Sequence, residues 1–453
     1  MQTFFHSVRL EKDKCKGCIN CMKRCPTEAI RVREGKAFII SERCIDCGEC
    51  IRICQNHAKK TVCDPFESIY DYKYRVAMLA PSAYGQFILD DINILLTAIK
   101  RVGFDDVFEV SRAAEIVTHL TRKKLVELRR RIDGPIISSA CPVVARLIRV
   151  RFPELCANVL PVNEPFQLAA QMAREEAVKK TGLAPEDIGV FFISPCPAKV
   201  TSAKSPIGIG KSYIDGVLSA SELYLKVLPE LKKIDEPENL MQSGIVGINW
   251  ANSGGECAGL LSDRNLAADG IENVIKVLEE IEGDQLSDLD FVELNACPGG
   301  CVGGVLNITN GFVARSRIKT LRKYLPLTQN KLSGDDQHQM FWEENLQYET
   351  VYKLDDDIRT AMDKMKLIDA IAKTLPGLDC GTCGAPSCRA FAEDIVRGEA
   401  SINDCVIRFS EEMTKLGVVG AIPAPFRKHE NTDVKSASAE EETASESDGL
   451  LHK

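Results

Sequence analysis

Between residues 74 and 330 apolar runs alternate with amphipathic stretches, and that alternation sets the expected architecture. RVAMLA (75–80) reads as a buried strand, after which Phe87, Ile88, Ile92, Leu95, Leu96 and Ile99 keep helical spacing. Similar pairs follow at 106–131 and 135–151, with another strand-like run at 187–193. The pattern predicts α/β layers on mainly parallel strands. KAFII (36–40) reads as a short strand ahead of this region. Behind it, 331–355 is polar and interrupted and reads as a linker or a loose lobe edge. An amphipathic helix is expected near 356–375, and a second from about Arg389 to Val396. The Ser-, Ala- and Glu-rich stretch at 428–453 predicts a disordered tail with no site.

At 453 residues, 45% hydrophobic and 27% charged, the chain has the makings of several globular domains. A net charge of -8 argues against a general phosphate-backbone binder, so no nucleic-acid partner is expected. The basic runs at Arg122, Lys123, Lys124 and at Arg129, Arg130, Arg131 read as solvated helix faces. No run of 18 apolar residues occurs, and MQTFFHSVRLEKDKC lacks the apolar core of a signal peptide. A cytoplasmic protein without a membrane partner is the expectation. The 19 cysteines are too sparse for a disulfide-stapled scaffold, and 16 of them fall into metal-ligand spacing. Cys63, Cys156 and Cys257 are left over and read as plain thiols.

Cys15, Cys18, Cys21 and Cys25, then Pro26, spell C-x2-C-x2-C-x3-C-P, and Cys44, Cys47, Cys50 and Cys54 repeat the spacing with Gln55 in place of the proline. This is similar to bacterial two-cluster ferredoxins, in which three thiolates of one run hold one 4Fe-4S cluster and the fourth ligates the other. Cluster one would take Cys15, Cys18, Cys21 and Cys54, and cluster two Cys44, Cys47, Cys50 and Cys25. A zinc site would instead call for paired ligands. An α+β ferredoxin domain is expected over 1–68.

Four more cysteines come from three separated segments. Cys141 follows PIISSA, Cys196 follows IGVFFISP, and Cys297 and Cys301 lie in DFVELNACPGGC. Three ligand loops thus fall just past the ends of apolar strands, the edge at which open α/β sheets bind ligands. Gly299, Gly300, Gly303 and Gly304 allow backbone to approach a bulky group, and Pro142 and Pro298 directly follow ligands.

The three segments resemble the signature motifs of iron-only hydrogenases. The resemblance implies a two-lobed H-cluster domain at 69–330, with a cubane on Cys141, Cys196, Cys297 and Cys301. It also implies that Cys301 bridges to a diiron subsite carrying CO, cyanide and a dithiolate amine. Lys199 stands where the family binds one cyanide, and Pro81 and Ser82 match the turn near the other. Three departures stand out. Ala140 replaces the cysteine that relays protons, Ser202 replaces a relay glutamate, and Ser194 and Asn295 replace methionines that pack on the diiron subsite. Alanine carries no proton, so slow turnover is expected.

Cys380, Cys383, Cys388 and Cys405, in LDCGTCGAPSCRAFAEDIVRG and beyond, resemble the 4Fe-4S domain of Rnf-type electron-transfer subunits and corrinoid iron-sulfur proteins. A small helical domain at 356–415 is expected, and four cysteines would satisfy either iron or zinc. Taken together, the motifs resemble the sensory type of iron-only hydrogenase. That type implies hydrogen and protons as substrates, a redox or signalling protein partner, and dedicated diiron maturation proteins. A Nar-type assembly protein, which keeps the cluster cysteines and lacks the diiron subsite, is the alternative. A hydrogen producer working at full rate is the third reading, weakened by Ala140 and Ser202.

Overall fold

A computed structural model describes residues 6–331 and 337–417; the tail expected at 428–453 lies outside the described residues. The chain divides into two units after Ala400.

Two parallel sheets organise the first unit. One has the strand order Asp106–Glu109, Tyr74–Leu79, Ile188–Ser194, Gly216–Ser219. Its central strand Ile188–Ser194 is buried along its whole length, as expected for a strand covered on both faces. The other sheet has the order Asn265–Asp269, Phe291–Asn295, Ile136–Ile137. Helices Val110–Leu128 and Pro165–Thr181 pack on the first sheet, and Pro142–Arg151 and Ile271–Glu282 on the second. The two-lobed α/β expectation therefore holds.

The helix after RVAMLA starts later than its apolar spacing predicts. Asp91 caps it by accepting from the Asn93 amide at 2.8 Å, and the helix runs Ile92–Arg101. A 3-10 turn, Pro81–Gly85, fills the gap, leaving Phe87 buried and Ile88 85% exposed. Residues 331–355 also depart from expectation, because part of the stretch belongs to the core. Met340, Trp342 and Leu346 are buried, the Trp342 amide donates to Pro161 O at 3.1 Å, and the Glu343 amide donates to Gly208 O at 2.7 Å. Three apolar side chains in a polar stretch were enough to anchor it.

The N-terminal part contains the hairpin Ile30–Arg33/Lys36–Ile39 and the pair Val8–Leu10/Lys59–Thr61, both antiparallel. Helices Ile358–Thr374 and Cys388–Val396 belong to the first unit. The second opens with Ser401, whose side chain and that of Asp404 form a capping box around the turn Ile402–Asp404. Cys405 follows, and then an amphipathic helix, Val406–Lys415.

Candidate metal centre

Each of the three central cysteine motifs sits at the carboxyl end of a parallel strand. Cys141 and Cys196 are the N-cap residues of helices Pro142–Arg151 and Pro197–Lys204, each with proline in the first helical position. The positive ends of two helix dipoles therefore face the sulfurs, which favours negative charge there. Cys297 and Cys301 come from the loop after Phe291–Asn295. The Leu306 amide donates to Pro195 O at 3.0 Å, locking the third motif onto the second. At Gly304 an added Cβ would lie 2.3 Å from that same Pro195 oxygen, so only glycine allows this approach.

The four thiols are close enough to feel one another. Burial pushes Cys196 up to about 11, with the charges of Cys301 and Cys141 adding to the rise. Burial likewise raises Cys297 and Cys301, and the neighbouring cysteines add to it. Lys199 lies among them. Burial would lower its ammonium, but the negative charges of Cys301, Cys196, Cys141 and Glu164 outweigh that and raise it. Four crowded thiols and a buried cation suit a cluster, where iron replaces the protons and thiolates share the charge.

A cavity abuts this set. Its walls include Pro81, Ala140, Phe166, Lys199, Trp250, Glu256, Glu293, Asn295 and Cys301. Of the residues expected to meet a diiron group, Pro81, Ala140, Lys199, Asn295 and Cys301 do line it. Ser82, Ser194 and Ser202 do not. Ser82 is buried and its carbonyl accepts from Gln86 Nε2 at 3.3 Å. Ser194 turns back on its own loop, its Oγ donating to Cys196 O at 2.8 Å, so it stiffens the ligand loop and does not make the pocket polar. Ser202 Oγ donates to Glu164 Oε1 at 3.2 Å. Glu164, from another element, is fully buried and raised by that burial.

Glu256 and Glu293 escaped the sequence reading. Glu256 lies on the short helix Gly255–Leu260 and Glu293 on the strand leading to Cys297. Burial, then the charge of Glu293, pushes Glu256 up to about 8, against the opposing hydrogen bond from Ser138. Glu293 is raised as well, chiefly by burial, although the amides of Gly254 and Cys257 and Asn295 Nδ2 all donate to it. Two buried carboxyls that feel each other's charge favour holding one proton between them. Ser138 Oγ donates to Glu256 Oε2 at 2.6 Å and accepts from the Ala140 amide at 3.1 Å. The proton-holding pair therefore reaches the wall where Ala140 stands. The leftover Cys257 contributes its amide to this network, while Cys156 lies buried in the core of the second sheet's lobe and Cys63 is a half-buried thiol.

In the N-terminal part the structure brings together Cys21 with Cys15, Cys18 and Cys54, and Cys25 with Cys44, Cys47 and Cys50, as their mutual charges register. The amides of Ala29 and Ala58 point at Cys25 and Cys54 sulfurs, each at 3.2 Å, a repeat of one local geometry. The second run also faces the central motifs. Arg52 Nη2 donates to Gly303 O at 2.9 Å, and buried Asp46 accepts from Thr201 Oγ1 at 2.8 Å and lies 3.6 Å from Arg146.

These features coincide with family membership. Residues 73–258 and 255–305, just over half of the chain, match the C-terminal domain of the iron only hydrogenase large subunit, and the chain belongs to that family. Residues 7–55 match the 4Fe-4S dicluster domain, and 375–407 match an Fe-S cluster family. It is an iron-sulfur protein. It is 24% identical over 287 residues to iron hydrogenase 1 of Clostridium pasteurianum, covering 51% of this chain and 50% of that protein, so it spans about half the length of this relative. It is 21% identical over 355 residues to the cytosolic Fe-S cluster assembly factor oxy-4 of Caenorhabditis elegans, covering 65% of this chain and 78% of that protein. It is 38% identical over 76 residues to the B component of the ion-translocating oxidoreductase complex of Thiobacillus denitrificans, 17% of this chain and 40% of that protein. Among the described residues no helix is long and apolar enough to cross a membrane.

Proposed function

We propose that the chain is a slow, reversible iron-only hydrogenase serving as a hydrogen or redox sensor, with hydrogen and protons as substrates. The observation that carries this reading is the cavity beside Cys301, which combines a buried cation, Lys199, with a wall that lacks a proton-relaying thiol at Ala140. Cys141, Cys196, Cys297 and Cys301 would hold a cubane, and Cys301, Lys199 and Pro81 would meet a diiron group in the cavity. When bound, that group supplies the chemistry of hydrogen cleavage and formation.

The chain's own residues account for the rest. Lys199, itself buried, offsets negative charge in a site lined by Phe166 and Trp250, where low dielectric strengthens each interaction. Ala140 leaves its own position on the wall without an ionisable group, while Glu256 and Glu293 line the same cavity and Glu256 is tied to the Ala140 amide through Ser138 Oγ. With no thiol at 140 to pass a proton on, the chain lacks the relay of a fast hydrogenase, which supports low turnover. The N-terminal cysteines and the loop that carries Cys380, Cys383 and Cys388 would hold further 4Fe-4S clusters. These would serve a redox or signalling partner, and the diiron group would require maturation proteins.

The likeness to an assembly factor supports a second reading, an iron-sulfur assembly protein without a diiron group. Lys199 and Pro81 favour the first, since a cyanide partner is idle without cyanide. The deciding measurement is infrared spectroscopy of anaerobically maturated protein, with and without hydrogen. Metal-bound CO and cyanide bands that shift under hydrogen are the expected result; a blank spectrum at full iron loading would overturn the hydrogenase reading in favour of assembly.

A further inference from the structure

The cysteine loop 379–388 is built into the N-terminal part. The Val32 amide of the hairpin donates to Gly384 O at 2.9 Å, and Arg33 Nη1 donates to Cys383 O at 3.0 Å. Lys23 Nζ donates to the carbonyls of Asp379 and Pro386. Arg31, fully buried, places its Nε between both oxygens of Asp394 at 2.7 and 3.0 Å, and Arg33 Nη2 reaches the same carboxylate at 2.6 Å. Arg43 pairs with Glu393. A Cβ on Gly384 would lie 1.9 Å from Val32 O, so the two backbones are in contact with no room for a side chain.

The anchors also sit close to the chemistry. On the loop side they grip the backbone of Asp379, Cys383, Gly384 and Pro386, the segment that carries Cys380, Cys383 and Cys388. On the other side Lys23 lies between Cys21 and Cys25, and Arg43 adjoins Cys44. Gly381 rests on Met22 and Ile19, which adjoin Cys21 and Cys18. A swinging electron-carrying arm would need to strip a buried double-arginine pair and leave Asp394 uncompensated, which buried ion pairs strongly resist. The loop's donor set of thiols, with Gly381 and Gly384 at positive φ, suits an iron-sulfur group.

We propose that the C-terminal cysteine loop is the fixed third member of an N-terminal redox module, in direct one-electron exchange with the ferredoxin-type clusters, and that Asp394 is the residue that positions it. The proposal rests on the reading of these cysteines as iron ligands, and is independent of any diiron group. The exchange is balanced within the module, because the electron one cluster gains is the electron its neighbour loses.

Electron paramagnetic resonance on the full-length protein, reduced stepwise with dithionite, tests it. The signal that disappears in Cys388→Ser identifies the loop's group. In the wild type that signal is expected to be broadened by spin-spin interaction once the N-terminal clusters are reduced. In Asp394→Asn the broadening is lost at unchanged iron content, and Asp394→Glu restores part of it. A sharp, additive signal in the wild type overturns the proposal, as does broadening that survives Asp394→Asn, or zinc in place of iron at the loop. Should Asp394→Asn fail to hold iron, the wild type compared with Cys388→Ser still decides. The hydrogenase reading fails on a different observable, the infrared bands, so the two cannot be confused.

Discussion

Replacing Glu256 with glutamine should make the protein more stable and slower at once. Glu256 is buried beside Glu293 and its carboxyl is pushed up to about 8. Because that folded value lies above the unfolded one, the native protein holds more protons than the unfolded chain across the interval between them. Stability then falls as pH rises through this window, at up to about 1.4 kcal/mol per pH unit. Between pH 6 and pH 8 the loss comes to about 2–3 kcal/mol in the wild type. Glutamine carries no charge and can still accept from Ser138, so Glu256→Gln removes that slope. In a unit this large about 1 kcal/mol moves Tm by roughly 1–2 °C, so the variant should gain about 3–5 °C on the wild type on going from pH 6 to pH 8. Anaerobic calorimetry of both proteins at the two pH values measures this. If the pair also stores protons for the cavity, hydrogen turnover should drop on the order of 100-fold or more in the variant. Parallel pH slopes would refute the shared-proton assignment, and unchanged turnover in the more stable variant would refute its part in proton supply.

Ala140→Cys, which puts a thiol on the cavity wall between Ser138 and the site, should raise hydrogen turnover on the order of 100-fold; an assay of hydrogen evolution with a reduced one-electron dye measures it, and no gain would sink the missing-relay explanation. Gly304→Ala places a methyl 2.3 Å from Pro195 O and should force the second and third motifs apart, so that iron analysis finds one cluster fewer while the N-terminal clusters remain. Retention of full iron would show that the two loops have slack. Lys59 is 3% exposed, its Nζ makes no hydrogen bond among the described residues, and its charge acts on Cys15, Cys21 and Cys50. Removing that cation in Lys59→Met should lower the reduction potential of the N-terminal clusters by roughly tens of millivolts, read by redox titration, and a rise would contradict the charge argument.

Much of the candidate site was legible because its logic is local. Ligand spacing in 15–25 and 44–54 is set by how far a short loop can reach, and the strand ends before Cys141, Cys196 and Cys297 were visible as apolar runs. Other features were legible in type, while their partners were not. Ser194 was read as a pocket residue and Ser202 as standing in for a relay glutamate, from their positions in a motif, and the partners they find are the Cys196 carbonyl and Glu164. A hydroxyl takes the closest acceptor, and motif position does not say which that is. Ile88 kept helical spacing although Asp91 starts the helix beyond it.

The sequence by itself determined the cysteine motifs, the parallel α/β architecture and the alanine at 140, because each is written in residues near one another along the chain. Only the tertiary structure decided that Glu256 lies under the charge of Glu293, that Glu164 meets Ser202, and that Arg31 meets Asp394. The physical reason is the same in all three. The energy of a buried charge depends on what folding brings against it from distant segments, and a lone glutamate or aspartate in sequence looks the same whether it ends in water or against a partner.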